Sequence, residues 1–249
     1  MASRSISLLS ALILLLATWT TQAETPTFNL VTENFPPYNM SVSDAEYEHK
    51  EEGITGLITE VVKLIFKNAK IPYTMKLRQW NYAYNYTQRK EYRGVFGTTL
   101  TEERKPLFKW VGPIASDGWV LYAKPGSDIV INSVDEAKKY LIGAYKGDVR
   151  EQWLIENGFK TSSLDKDNLN PKRLENGQID LWISGPVSGP YYALQNGVRG
   201  LKPVFTVKET QLYLAVNKDT PDAVVNKLNS ELEKIRASGE LKSIEDRYR

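Results

Sequence analysis

The chain has 249 residues, with 32 lysines and arginines against 30 acids, one histidine and no cysteine. Disulfide scaffolds, cysteine-ligated metal sites and a cysteine nucleophile are therefore excluded. A net charge of +2 without basic blocks argues against nucleic acid as a partner, while 41% hydrophobic and 25% charged residues are ordinary for a folded protein.

Residues 1–23 (MASRSISLLSALILLLATWTTQA) set Arg4 ahead of an apolar run and end in a small-x-small site, Thr21-Gln22-Ala23. That pattern predicts a secretory signal peptide cut after Ala23, its apolar run being too short for a membrane anchor. Without cysteine the mature chain carries no N-terminal lipid on one, so the expectation is a free periplasmic protein. Residues 28–32 (FNLVT) read as a strand running into an Asn34-Phe35-Pro36-Pro37 turn. His49, in the charged run 44–52, reads as a solvated loop histidine. Residues 55–68 place Leu57, Val61, Leu64, Ile65 and Asn68 on one helical face ahead of Pro72. Residues 73–77 are strand-like. In residues 81–90, Tyr82, Tyr84 and Tyr86 alternate like a strand, although length and context favour a helix.

Residues 93–99 (RGVFGTT) form a strand, with a short helix opening at Thr101-Glu102-Glu103-Arg104. Residues 118–124 are a further strand, and 133–139 a helix with Ser133 as cap and Glu136 three positions on. Strands then follow at 141–145, 180–184 and 210–216, and helices at 149–157, 190–195 and 222–238. The last helix turns Val225, Leu228, Leu232 and Ile235 inward and closes at Gly239. Repeated β-α-β units imply an α/β fold with largely parallel sheets.

Three segments carry a resemblance: TENFPPY at 32–38, GTTLTEER at 97–104, and the strand and helix over residues 212–248. With these the chain resembles the extracytoplasmic solute-binding proteins of family 3, the polar amino acid type. The resemblance implies a two-lobed type II periplasmic-binding fold, each lobe a mostly parallel sheet flanked by helices, joined by two hinge crossings. It puts lobe 1 at residues 24–116 plus 211–249 and lobe 2 at residues 117–210, with a small solute enclosed as they close. The implied partners are the solute and an ABC permease; the implied state is a monomer, with no cofactor, metal or catalytic residue.

The resemblance also assigns roles. Arg104 matches the carboxylate clamp, and a guanidinium offers two parallel donors that fit a carboxylate. Thr99 matches a donor beside it, and Gly97 a carbonyl near the solute's amine. Phe35 and Trp80 match the positions that sandwich the solute's body, whereas Tyr82 and Tyr86 read as packing residues. Glu33, Tyr145 and Ser184 complete the expected ligand set. Gly147-Asp148 falls where the second lobe offers a helix N-terminus. Asp148 reads either as a capping box with Glu151 or as a cleft carboxylate that accepts an ammonium group.

One departure is sharper. Amino acid binders of the family have an aspartate five residues past the position of Asp180, and here that residue is Gly185. Glu33 or Asp148 then supplies the missing charge, or the solute lacks an α-amino group. Two other functions fit the same scaffold: a ligand-sensing partner of a membrane receptor, and a dehydratase-like enzyme with Glu33 or Asp148 as general acid.

Overall fold

The computed structural model describes residues 26–248, so the expected signal peptide lies outside the described residues. Strand β1 (Phe28–Thr32) leads through a short antiparallel pair, β2 (Met40–Ser41) and β3 (Ile54–Thr55), into helix α1 (Leu57–Ala69). Then come β4 (Tyr73–Leu77), α2 (Trp80–Gln88), β5 (Arg93–Thr99) and a sixteen-residue strand, β6 (Phe108–Ala123). The second half holds β7 (Leu141–Tyr145), α3 (Val149–Glu156), β8 (Lys160–Leu164), α4 (Asn170–Glu175), β9 (Leu181–Ser184) and α5 (Ser188–Gln195). A second sixteen-residue strand, β10 (Lys202–Asn217), returns the chain to α6 (Asp222–Ala237) and α7 (Glu240–Asp246).

Eight strands form one sheet in the order β4-β1-β5-β10-β6-β9-β7-β8. Its two ends are parallel, β4-β1-β5 and β9-β7-β8, as the β-α-β pattern predicts. Its centre is antiparallel, through β5-β10, β10-β6 and β6-β9. The two long strands pair along almost their whole length and serve two cores. Val111, Ile114 and Ala115 of β6 join one cluster with β1, α1 and α6, whereas Trp119, Leu121 and Ala123 join another with β7 and α3. In β10 the change lies between Val207, on the second core, and Leu212, on the first.

Helices cover both faces of each half. α1, α6 and α7 bury their apolar stripes on one face of the first half, and α2 packs Trp80 and Ala83 on the other. α3 covers one face of the second half, while α4 and α5 bring Leu174 and Tyr192 to the other, beside Trp182. No helix among the described residues is long and apolar enough to cross a membrane.

Several local differences from the sequence reading have physical causes. The buried stripe of α1 runs through Ile58, Val62 and Phe66 as well as Val61 and Ile65, so Asn68 faces outward. β6 begins ten residues earlier than the pattern suggested, because Gly112 and Pro113 interrupt it. There the strand is paired only with β10, and the register shifts between Leu212 and Leu214, which leaves Pro113 without a ladder bond to supply. Residues 134–139 form a 3-10 helix, not an α-helix; Ser133 makes no side-chain cap, and the Glu136 carboxylate accepts from the Asn132 amide at 3.1 Å. Likewise, residues 102–104 are a turn leading to a 3-10 turn at Lys105–Leu107, with the Thr101 hydroxyl accepting from the Arg104 amide at 3.3 Å. β8 (KTSSL) is an edge strand without alternation, so its sequence gave no signal.

Leu228 lies fully buried at the centre of α6. Leu228→Ala is expected to lower stability by about 2–5 kcal/mol, read as a fall in the denaturant midpoint at unchanged slope.

Candidate functional site

The expected site residues sit on loops at the ends of strands, where an α/β sheet presents its binding groups. Glu33 and Phe35 follow β1, Gly97 and Thr99 end β5, Tyr145 ends β7 and Ser184 ends β9. Trp80 opens α2 and Asp148 caps α3. Gly97 and Gly147 have φ of 75° and 79°, a region that suits glycine. Both also lack room for a side chain: a Cβ would lie 2.6 Å from Asn39 Nδ2 at Gly97 and 2.7 Å from Asn81 Oδ1 at Gly147.

The structure sorts these residues around two cavities. One, of about 280 Å³, is walled by Arg104, Trp80 and Gly147, together with Tyr84, Trp119 and Trp153. The Arg104 guanidinium lies 5.1 Å from the Trp80 ring centre and 5.3 Å from that of Tyr84. Its Nη1 donates to the Thr99 carbonyl at 3.5 Å. Trp80 and Tyr84 are one helical turn apart, so α2 presents both rings to the same cation. Arg104 is only 6% exposed. Burial lowers its pKa, against the charges of Asp148 and Glu33, and no acid lies within 4.0 Å of it among the described residues.

The second cavity, of about 190 Å³, is walled by Glu33, Phe35, Tyr145, Arg150, Asp167 and Tyr192, among others. Glu33 is buried and one of its oxygens, Oε2, has no partner. Burial, with help from the charge of Asp148, pushes its pKa up to about 8, although the Tyr145 hydroxyl donates to it and Arg150 attracts it. Glu33 is thus a neutral acid at pH 7. Contacts across the cleft hold the halves together here: the Tyr192 hydroxyl donates to the Asn34 carbonyl at 3.2 Å, and Lys166 pairs with Glu46 at 3.8 Å.

Asp148 acts on both cavities, through Glu33 on one side and Arg104 on the other. Its own carboxylate is fully occupied. Oδ1 accepts from the Arg150 amide at 2.9 Å and from Nε at 2.6 Å, and Oδ2 accepts from Nη2 at 3.3 Å. Burial raises its pKa, but the Arg150 charge and hydrogen bonds outweigh that and hold it below the ordinary range. Glu151 accepts from the Gly147 amide, so both acids of the expected capping box serve α3. Asp148 is therefore a helix cap and half of an ion pair with Arg150.

Gly97, Thr99 and Ser184 are buried and wall neither cavity. Tyr82 is not a packing residue: it is 49% exposed and stacks on Tyr86. His49 is exposed, with Arg78 Nη2 3.0 Å from its Nδ1. Sequence reasoning missed Arg150, whose guanidinium lies 5.5 Å from the Phe35 ring centre and whose Nη1 has no partner. The one signal for it was its place two residues after the cap, where a side chain can fold back on Asp148. Asp167, accepting at 2.9 Å from both Asn170 and Trp182, gave no signal within its polar stretch.

Comparison with known proteins followed the fold. A family description, bacterial extracellular solute-binding proteins, family 3, matches residues 30–249. A probable histidine-binding protein of Neisseria gonorrhoeae is 29% identical over 161 residues, which is 61% of this chain and 58% of that protein. The chain thus aligns with little more than half the length of that relative. Among solved structures, a histidine kinase sensor domain with similarity to periplasmic binding proteins gives a TM-score of 0.78 at 16% identity, covering 90% of this chain and 96% of that one. An ancestral arginine-binding protein bound to arginine gives 0.74 at 24% identity, covering 89% and 97%. Both structures share the fold.

The buried acids make two predictions. The proton that Glu33 holds in the folded chain is lost on unfolding at pH above 4.5, and the folded group ionises near pH 8. Its contribution to stability is full below 4.5 and falls as pH rises through that window. Glu33→Gln is expected to match the wild type near pH 4 and to exceed it increasingly up to pH about 8, measured as denaturation midpoints across pH. Asp148→Ala strands the Arg150 charge and uncaps α3, with an expected loss of about 3–5 kcal/mol; thermal unfolding checks it, and Asp148→Asn should recover part.

Proposed function

The chain belongs to the bacterial extracellular solute-binding proteins, family 3, and from that membership we propose a periplasmic binding protein that captures a small carboxylate-bearing solute. The solute is an amino acid or an amino-acid-like compound, held between two closing lobes and delivered by the monomeric protein to an ABC permease. Lobe 1 comprises residues 24–116 plus 211–249 and lobe 2 residues 117–210. The change of core along β6 and β10 supports those limits.

The observation that carries the reading is Arg104. A guanidinium that is buried over two aromatic faces, without an acid in ion-pair range, has given up most of its hydration and keeps donors for an anion. Thr99 stands beside it and adds a donor. Trp80, against the Arg104 guanidinium, covers the solute's body. Gly147 lets α3 come close to the cleft, while Asp148 and Arg150 neutralise one another. Lobe closure then removes water from the pair formed by Arg104 and the solute, which strengthens it.

No covalent step is needed. Asp148 is held in an ion pair, Asp167 by hydrogen bonds, and Glu33 has its pKa raised by burial. The protein therefore works by differential binding, its closed form favoured by as much as the solute prefers it to the open one.

The test begins with mass spectrometry of the solute released from gently purified protein. Arg104→Ala is then expected to weaken calorimetric binding of that solute by about 3–5 kcal/mol, more than a hundredfold, with Arg104→Lys intermediate. Unchanged affinity in Arg104→Ala would remove the residue from the site.

A further inference from the structure

Glu33 stands at the end of β1 in the first half, yet what covers it belongs to the second. The walls of its cavity, of about 190 Å³, include Phe35 and Gln79 from its own side, with Tyr145, Arg150, Asp167 and Tyr192 from the other. Tyr145 ends β7, Arg150 lies in the first turn of α3, Asp167 precedes α4 and Tyr192 lies in α5. Four separate elements thus close over one carboxyl group. Glu33 is 8% exposed, its Oε2 has no partner, and the Tyr145 hydroxyl donates to the group. Withdrawing the second half uncovers Glu33 to water without opening either core, because the two cores are separate clusters.

The charges around Glu33 do not neutralise it. Asp148, at the α3 cap, and Asp167 repel its ionised form, while Arg150 attracts it. That cation is already held by Asp148, with contacts of 2.6 and 3.3 Å. From the first half Arg104 attracts it too, its guanidinium set against the Trp80 and Tyr84 rings. At the mouth of the cavity Arg78 donates to the Leu77 and Glu48 carbonyls, and Lys166 faces Glu46 at 3.8 Å. Asp44 and Asp165 add two acids there. A carboxyl group enclosed in this way keeps its proton where a hydrated one loses it.

We propose that lobe closure is linked to a proton: Glu33 carries it while the second lobe covers the group and releases it when the cleft opens, so that capture of the solute takes up about one proton. This rests on the reading of a solute held between two closing lobes. Burial pushes the pKa of the covered Glu33 up to about 8, from an ordinary 4.5 that hydration restores. Below that window both forms hold the proton, and closure does not depend on pH. Within it only the closed form does, so closure weakens by up to about tenfold for each unit that the pH rises. Above it neither form does, and the closed form carries a buried charge. The neighbours leave the upper part of the window to Glu33. Asp148 is held below the ordinary range, Asp117 is pushed up only to about 6, and the Tyr145 and Tyr192 hydroxyls are raised. Asp167, also raised by burial, is told apart from Glu33 by substitution.

The chain has no cysteine, so Lys76→Cys with Lys160→Cys takes a dye pair at exposed sites on β4 and β8, the two outer strands of the sheet. Energy transfer is read on the protein without solute between pH about 6 and 9. With Glu33 present the closed population is expected to fall across that range, whereas in Glu33→Gln it stays constant. Tyr145→Phe removes the donor that favours the ionised form, and is expected to move the midpoint to higher pH. A closed population that ignores pH with Glu33 present, or one that falls equally in Glu33→Gln, overturns the proposal. Should Glu33→Gln fail to fold, the direction of the Tyr145→Phe shift decides the matter. Calorimetry of the proteinogenic amino acids, each in buffers of low and high ionisation heat, then reads the proton at capture: about one near pH 7 with Glu33, and none in Glu33→Gln. An amino acid that binds both chains with equal proton uptake leaves the binding reading in place and removes the link. If none binds while energy transfer still follows pH, the link stands and the amino acid class of solute falls.

Discussion

The antiparallel pairing of β6 with β10 is the constraint on which the rest of the molecule depends. These strands, hydrogen-bonded from Phe108 with Asn217 to Ala123 with Lys202, are the part of the sheet shared by both cores. Every other element joins one half or the other through them. Two parallel β-α-β arrays, each a complete layered unit, are thereby held edge to edge across two strands. The ladder shifts register at three places, between Pro203 and Phe205, Thr206 and Lys208, and Leu212 and Leu214.

The charges of the cleft follow from that arrangement. Where the halves meet, strand ends bring Glu33, Arg104, Asp148 and Arg150 together with Asp117 and Asp167, all removed from water. Burial of so many ionisable groups is tolerated because each is compensated differently. Asp148 and Arg150 neutralise one another, Asp167 accepts two strong hydrogen bonds, and Glu33 retains its proton. Arg104 is held by aromatic faces, the Tyr84 hydroxyl and one carbonyl, and Asp117 by a long hydroxyl contact, an amide and the charge of Arg150. These two groups have opposite sign.

Much of the fold was legible in the residues. Strands 28–32, 73–77, 93–99 and 141–145 coincide with the structure to the residue, because each is a short β-branched or aromatic run bounded by turn residues. α6 turned inward the four apolar side chains that its 3.6 period marked. What escaped was polar or interrupted. β8 has no hydrophobic alternation because it lies at an edge, and the first half of β6 hides behind Gly112-Pro113. α4 is a six-residue helix opened by Asn170-Pro171, too short to show a period.

The site was legible to a lesser degree. By itself the sequence determined the α/β class, the lack of cysteine chemistry and the cap on α3, since these depend on composition and on residues close together in the chain. The family resemblance, and not the residues alone, marked Gly185 as a place where a charge is missing. Only the tertiary structure decided that Asp148 is occupied by Arg150, that Trp80 and Tyr84 flank Arg104, and that Asp117 stands against Gly185 across 68 positions of sequence. The physical reason is that pairing and desolvation belong to space, not to sequence. A carboxylate's charge and free acceptors depend on what the fold places around it, and β6 and β9 meet only through their antiparallel pairing in the sheet.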